Sequence, residues 1–218
     1  MIGKQLDIIT KRSIYLFIAV ASIYVINSLV IRLFYIDDIF FFNTYGGKFN
    51  ADEAHKILQL DKSWGFIKFL FIPITLFIRI SFVVLCFYIG LYLAEIRVSM
   101  RELYKVVIVA EFTFILFTII RTILVFNHSF TSFEELGGYS PFRFISTVKL
   151  NSYPDWIKIP MGILNSIEFL YWLVLSFLLA KLMKWNFLKS LSFVLKTYVL
   201  GLLVWILFVV FIVIVVFK

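Results

Sequence analysis

The chain has 218 residues, 62% of them hydrophobic, and a mean hydropathy of +1.01. Soluble domains run near ~45–50% apolar, so this composition excludes an ordinary globular protein and leaves no length for a separate soluble catalytic domain. A net charge of +8 points to nucleic acid in a soluble chain, but here Lys and Arg gather at the ends of apolar runs, where they face lipid headgroups, and no nucleic-acid partner is expected.

Lys4, Lys11 and Arg12 precede an apolar run that continues through Val30. Ala19-Val20-Ala21 has the form of a signal-cleavage site. The apolar stretch before it is about six residues, below the ~7–15 of a cleaved signal. The run therefore reads as an uncleaved first span, about 13–36. In the loop over 37–65, Asn50-Ala51-Asp52-Glu53 is a variant capping box and heads a short helix predicted over 51–62. The second span, about 66–94, contains Pro73 and is expected to kink there. Its Cys86 is the only cysteine, so an intrachain disulfide is excluded, and the apolar run lacks the electropositive setting of a reactive thiol. The third span is about 105–126. In the loop that follows, Phe142, Phe144, Ile145 and Val148 alternate with Arg143, Ser146 and Lys149, a pattern for a helix lying on the membrane surface. Pro154 and Pro160 bracket Trp156 and lead into a fourth span, about 161–183. The fifth, about 190–217, carries no charge from Thr197 to Phe217. That stretch is long enough to cross a hydrocarbon core of ~30 Å.

Residues 1–218 thus read as a single membrane domain, all-α and polytopic, with five transmembrane helices. Basic residues fix the expected orientation. Lys4, Lys11 and Arg12, then Arg97, Arg101 and Lys105, then Lys181, Lys184 and Lys189 occupy alternate connections and belong on the cytoplasmic side. The N-terminus is then inside and the C-terminus outside. Trp64 and Trp156 suit an outer aromatic belt and Trp185 an inner one. The expected location is the cytoplasmic (inner) membrane of a bacterium.

Ionisable residues inside spans are costly unless paired, and each is a functional candidate. They are Arg79, Glu111, Arg121, Glu168 and Lys196. Counting helical rise from the span ends gives two depth-matched pairings: Glu111 with Lys196 or Arg79, and Glu168 with Arg121. The alternatives are structural pairing between helices, an ion or proton path, or a binding site for a polar group. Two carboxylates against three cations leave little free acid for a proton relay.

Motifs for catalysis are missing. His55 and His128 lie in loops, no His-Glu-x-x-His occurs, and Gly138-Tyr139-Ser140-Pro141 lacks the closing glycine of a nucleophile elbow. Glu134-Glu135 resembles the paired glutamates of intramembrane CaaX-type proteases, without the arginine and later histidine of that family. No metal site and no cofactor are expected.

A basic segment leading into a span, Ser99-Met100-Arg101-Glu102-Leu103-Tyr104-Lys105-Val106-Val107, is followed by Ile167-Glu168-Phe169-Leu170-Tyr171-Trp172, by Lys189-Ser190-Leu191-Ser192-Phe193-Val194, and by a final span centred on Trp205. Over about 80–215 this arrangement resembles the bacterial branch of the Yip family, five-span membrane proteins named for interaction with Ypt/Rab GTPases. The Asp-Leu-Tyr-Gly-Pro-like segment and long cytosolic N-terminus of eukaryotic members are absent, so GTPase binding does not carry over. The resemblance implies a non-enzymatic membrane protein working through partners.

The sequence therefore leads to a scaffold or accessory subunit in the lipid bilayer, with a membrane-protein partner or a homo-oligomer. A small permease subunit using the intramembrane charges is the alternative, and an intramembrane hydrolase a distant one. The aromatic run Phe40, Phe41 and Phe42 is the candidate partner-docking surface.

Overall fold

A computed structural model describes residues 2–36, 38–45, 51–143 and 154–216. Among the described residues every regular element is a helix and there is no strand. Five helices are long and apolar enough to cross a bilayer: Ser13–Phe34, Ile67–Leu93, Met100–Phe126, Ser166–Met183 and Phe187–Val215. They are the first to fifth spans below. The all-α, five-span membrane architecture expected from hydropathy is present, and helices satisfy the backbone groups that lipid cannot.

Caps set the span boundaries. The third span begins at Met100 rather than 105 because Ser99 Oγ accepts from the Arg101 N–H at 3.2 Å. The fourth begins at Ser166 rather than 161. Asn165 is extended and its Oδ1 accepts from the N–H groups of both Ile167 and Glu168 at 3.0 Å, which starts a new helix. The preceding residues, Asp155–Ile163, form a separate helix against the C-terminal half of the fifth span. Asn186 caps the fifth span, accepting from the Lys189 N–H at 2.8 Å. Within that span residues Leu195–Val199 form a π-helical turn. Thr197 Oγ1 donates to the Phe193 carbonyl at 2.7 Å, the kind of back-bonding that perturbs a helical ladder.

The third span packs against the first, second and fourth, and the second against the first, third and fifth. Val83, Phe87, Leu103, Val107, Leu175 and Val194 are fully buried where they meet. Two glycines bring the second and fifth spans together. A Cβ at Gly90 would meet Thr197 Cγ2 at 2.2 Å, and one at Gly201 would meet Cys86 Sγ at 2.7 Å. Small residues at such a seam allow the close backbone approach on which packing in lipid depends.

One end of the bundle carries the tight connections at residues 94–99 and 184–186, and is called the turn end. Glu95 and Lys184 turn the chain there at φ of 58° and 55°. The opposite, loop end carries the helices Asp38–Tyr45, Ala51–Trp64 and Phe133–Gly138. Ala51–Trp64 is the short helix expected over 51–62; its Asp61 binds Arg32 of the first span and Lys68 of the second. Asn50, the expected cap, lies outside the described residues. So does most of the expected surface helix: Phe142 and Arg143 sit in a turn, and residues 144–153 are not described.

Phe40 corrects an expectation. It is 6% exposed and packs with Val125 and Leu136 in a second apolar cluster, edge-on to Tyr35 and Phe133. It is therefore core for the loop end, not open docking surface. Phe42 is half-buried and meets His55 edge-on. The side chain of Phe41 lies outside the described residues.

Candidate functional site

Of the two pairings expected among the five intramembrane charges, one forms and the other does not. Arg79 lies 14 residues before Leu93, about 21 Å from the turn end at 1.5 Å per residue. Glu111 follows Ala110 in the third span, about 17 Å from Met100 by the same rise. They meet: Arg79 Nη2 donates to Glu111 Oε2 in an ion pair, and the carboxylate is fully buried. Of the two cations matched to Glu111 by depth, the structure selects Arg79. Lys196 is exposed and has no ion pair among the described residues. A flexible lysine on a lipid-facing surface can run its ammonium toward the headgroups.

Glu168 and Arg121 are not paired. Depth arithmetic placed Glu168 from residue 161, but the helix it belongs to starts at Ser166, so the count crossed a break. Measured from Met183, Glu168 is 15 residues in, about 22 Å from the turn end. There its Oε1 accepts from Tyr198 Oη at 2.7 Å and from Trp172 Nε1 at 2.9 Å. Arg121 lies nearer the loop end, where Nε donates to the Tyr139 carbonyl at 2.9 Å and Nη2 to the Leu136 carbonyl at 2.8 Å. These are carbonyls at the C-terminus of the short helix Phe133–Gly138, left without intrahelical donors and attractive to a cation. Arg143 Nη1 adds a bond to the Gly138 carbonyl at 3.3 Å.

Three phenols complete the mid-membrane cluster, and sequence reasoning gave none of the three a place in the charge network. Tyr24 of the first span accepts from Arg79 Nη2 at 3.2 Å. Tyr171 Oη donates to Glu111 Oε1 at 3.2 Å. Tyr198 of the fifth span holds Glu168. Each of the five spans thus contributes a polar side chain at one level. Arg79 also lies over the Phe114 ring, 4.4 Å from its centroid, a cation–π contact strengthened by desolvation. Its Nε is buried without a hydrogen-bond partner among the described residues.

The available signal was the rule that a buried tyrosine or tryptophan needs a partner for its polar tip. Trp172 stands four residues after Glu168 and so shares its helix face. The distribution of charge also changes the expected balance. At the level of the cluster stand one guanidinium and two carboxyls, because Arg121 and Lys196 lie elsewhere.

A cleft of about 430 Å³ opens beside the cluster. Thr75, Arg79, Glu168 and Tyr198 supply its polar lining, and Ile78, Phe82 and Trp205 much of its apolar wall. Ile78 and Trp205 are 61% and 49% exposed, so the mouth faces sideways, toward the surface that lipid covers. A smaller cavity of about 180 Å³, bordered by Tyr24 and Ile72, adjoins it at Thr75 and Arg79. Among the described residues no group of His, Cys, Asp or Glu is arranged to hold a metal ion. The chain matches no family model, no curated protein and no solved structure.

Proposed function

We propose that the chain is a non-enzymatic membrane scaffold or accessory subunit that works through protein partners, or through copies of itself, in the bilayer. The observation that carries this reading is the use of its deepest charges. Arg79 and Glu111 bind each other and phenols of the first and fourth spans, which ties the helices into one framework. Hydrogen-bonded networks in a low-dielectric interior rigidify the elements they join. The resemblance to the Yip family agrees with this role. The alternation of basic connections favours the cytoplasmic membrane of a bacterium, N-terminus inside.

Co-purification from native membranes tests the reading: reproducible stoichiometric partners, or a defined homo-oligomer, are expected, and a solitary monomer overturns it. Orientation has its own test in a Cys86→Ala background. An impermeant maleimide added to intact cells should label Ser63→Cys at the loop end and spare Leu188→Cys at the turn end. The reverse pattern inverts the topology.

A permease subunit is the second reading, favoured by three helix irregularities around the cluster. Pro73 lies inside the second span, the helix breaks at Leu164–Asn165, and the π-turn carries Tyr198. Interrupted helices near mid-membrane polar groups are common in transporters, and π-turns recur at functional sites. Substrate-dependent flux through the purified protein in proteoliposomes, lost on Glu168→Gln, would favour this reading over the scaffold.

A further inference from the structure

The charge at the cleft is unbalanced. Arg79 has its counter-charge in Glu111, in direct contact. Among the described residues Glu168 has no cation in ion-pair contact, and Arg79 reaches it through the longer-range field. Its two hydrogen bonds, from Tyr198 and Trp172, both end on Oε1. Oε2 has no hydrogen-bond partner among the described residues, and Glu168 lines the cleft. A glutamate with an unused oxygen lining such a recess is complementary to a positive group, because the arriving cation favours the ionised carboxylate and offsets its desolvation cost.

The walls match the same class of ligand. Phe82 stands 6.4 Å from both Tyr198 and Trp205, centroid to centroid, and the three rings form one side of the cleft. Aromatic faces attract organic cations, more strongly out of water. A competing ligand would be an anionic amphipath on Arg79. The guanidinium already has its counter-charge in Glu111 and a cation–π contact with Phe114, so the unmatched charge favours the cation. The volume, about 430 Å³, lies within the range of small-molecule sites, and the sideways mouth admits molecules dissolved in the bilayer.

We infer that this cleft binds a lipophilic organic cation, with Glu168 as the counter-ion and Phe82, Tyr198 and Trp205 as the aromatic wall. The inference is separate from the scaffold reading, which is decided by co-purification, so either can fail alone.

The test uses two ions of nearly equal size and shape and opposite sign, tetraphenylphosphonium and tetraphenylborate, with the full chain in a neutral detergent. Equilibrium dialysis should show saturable binding of tetraphenylphosphonium, and weaker binding of the borate. Glu168→Gln should weaken the phosphonium by about 30-fold or more, the scale for losing one partner of a desolvated charge pair. Trp205→Ala should weaken it by about 2–10-fold through the lost cation–π contact. Glu168→Gln must be shown to remain folded by circular dichroism and size exclusion. If it does not, Ile78→Trp decides, since it fills the mouth from an exposed position outside the hydrogen-bonded cluster. The inference is overturned by absence of saturable phosphonium binding, by borate binding as tightly, by unchanged affinity in folded Glu168→Gln, or by unchanged affinity in Ile78→Trp.

Discussion

Arg79 and Arg121 are both guanidiniums on apolar helices, and the two ends of the molecule satisfy them with different chemistry. At mid-depth Arg79 meets a fully buried carboxylate, a phenol and an aromatic face. At the loop end Arg121 donates to the carbonyls of Leu136 and Tyr139. The first arrangement joins helices that are distant in sequence. The second fastens one short helix to the span just before it. A charge in lipid therefore has a reach: countered by charge it organises the bundle, and countered by backbone dipoles it organises a loop.

The largest expected difference separates these two sites. Glu111→Ala strands Arg79 and should cost about 3–5 kcal/mol, the scale for breaking a buried pair. Arg121→Ala leaves carbonyls near the bundle end and should cost about 1–3 kcal/mol. Thermal unfolding in detergent measures both, and hydrogen exchange should place the Arg121 effect at residues 133–143. Equal losses, or a global effect of Arg121→Ala, would erase the contrast.

A double-mutant cycle sharpens it. Substitutions at Glu168 and Arg121 should be additive within about 0.5 kcal/mol because the two side chains share no contact, whereas Arg79 and Glu111 should couple by about 0.5–3 kcal/mol. Coupling in the first pair would restore the pairing that depth alone suggested.

Packing gives a smaller contrast of the same kind. Gly90→Ala forces a methyl group into Thr197 and should cost about 1–3 kcal/mol by overpacking. A Cβ at Gly137 meets nothing within 4 Å, so Gly137→Ala in the loop-end helix should be neutral or stabilising by up to about 1 kcal/mol. Loss of stability at Gly137 alone would reverse the ranking.

The smallest effect is expected from Glu135. Hydrogen bonds from the Thr131 N–H and hydroxyl, both 2.9 Å, hold its carboxyl below the ordinary carboxylate range. The sign follows: the contribution to the Phe133–Gly138 helix is present above the ordinary carboxylate value and is lost as pH falls through the lowered one. Chemical-shift titration of that helix should show local loosening below about pH 4 that is absent in Glu135→Gln. An unchanged titration in the variant would assign the loosening to another group.

Hydropathy made the five spans legible because each is a long apolar run, and burial in lipid requires little more than that. Boundaries depended on single caps. Ser99 and Asn165 moved the third and fourth spans because one hydroxyl and one amide captured backbone N–H groups. The site was legible only as a list of charges. Glu111 with Arg79 was one of two pairings that depth left open, and pairing geometry decided between them. Glu168 was misplaced because rise per residue has meaning only inside a continuous helix, and the chain breaks at Leu164–Asn165. Tyr24, Tyr171 and Tyr198 had no place in that list because a phenol counts as apolar in a hydropathy window, yet its hydroxyl needs a partner once water is removed. Phe40 was misread for the opposite reason. An aromatic run in a loop looks like exposed surface until a second apolar cluster forms around it.

The hydrogen bond from Tyr198 to Glu168 also imposes an order of events during synthesis. Thirty residues separate the two partners. At ~5–20 residues per second, translation supplies the phenol about 1.5–6 s after the carboxylate. During that interval the fourth helix carries Glu168 with only Trp172 of its own chain segment to bond it, since Trp172 lies on the same helix. Arrival of the last span therefore does more than add a hydrophobic segment. It seats Gly201 against Cys86 and Gly90 against Thr197 and brings the Tyr198 hydroxyl to Glu168 in the same step. Released, membrane-inserted chains ending before residue 198 should differ sharply from the full chain in the protection of the fourth span.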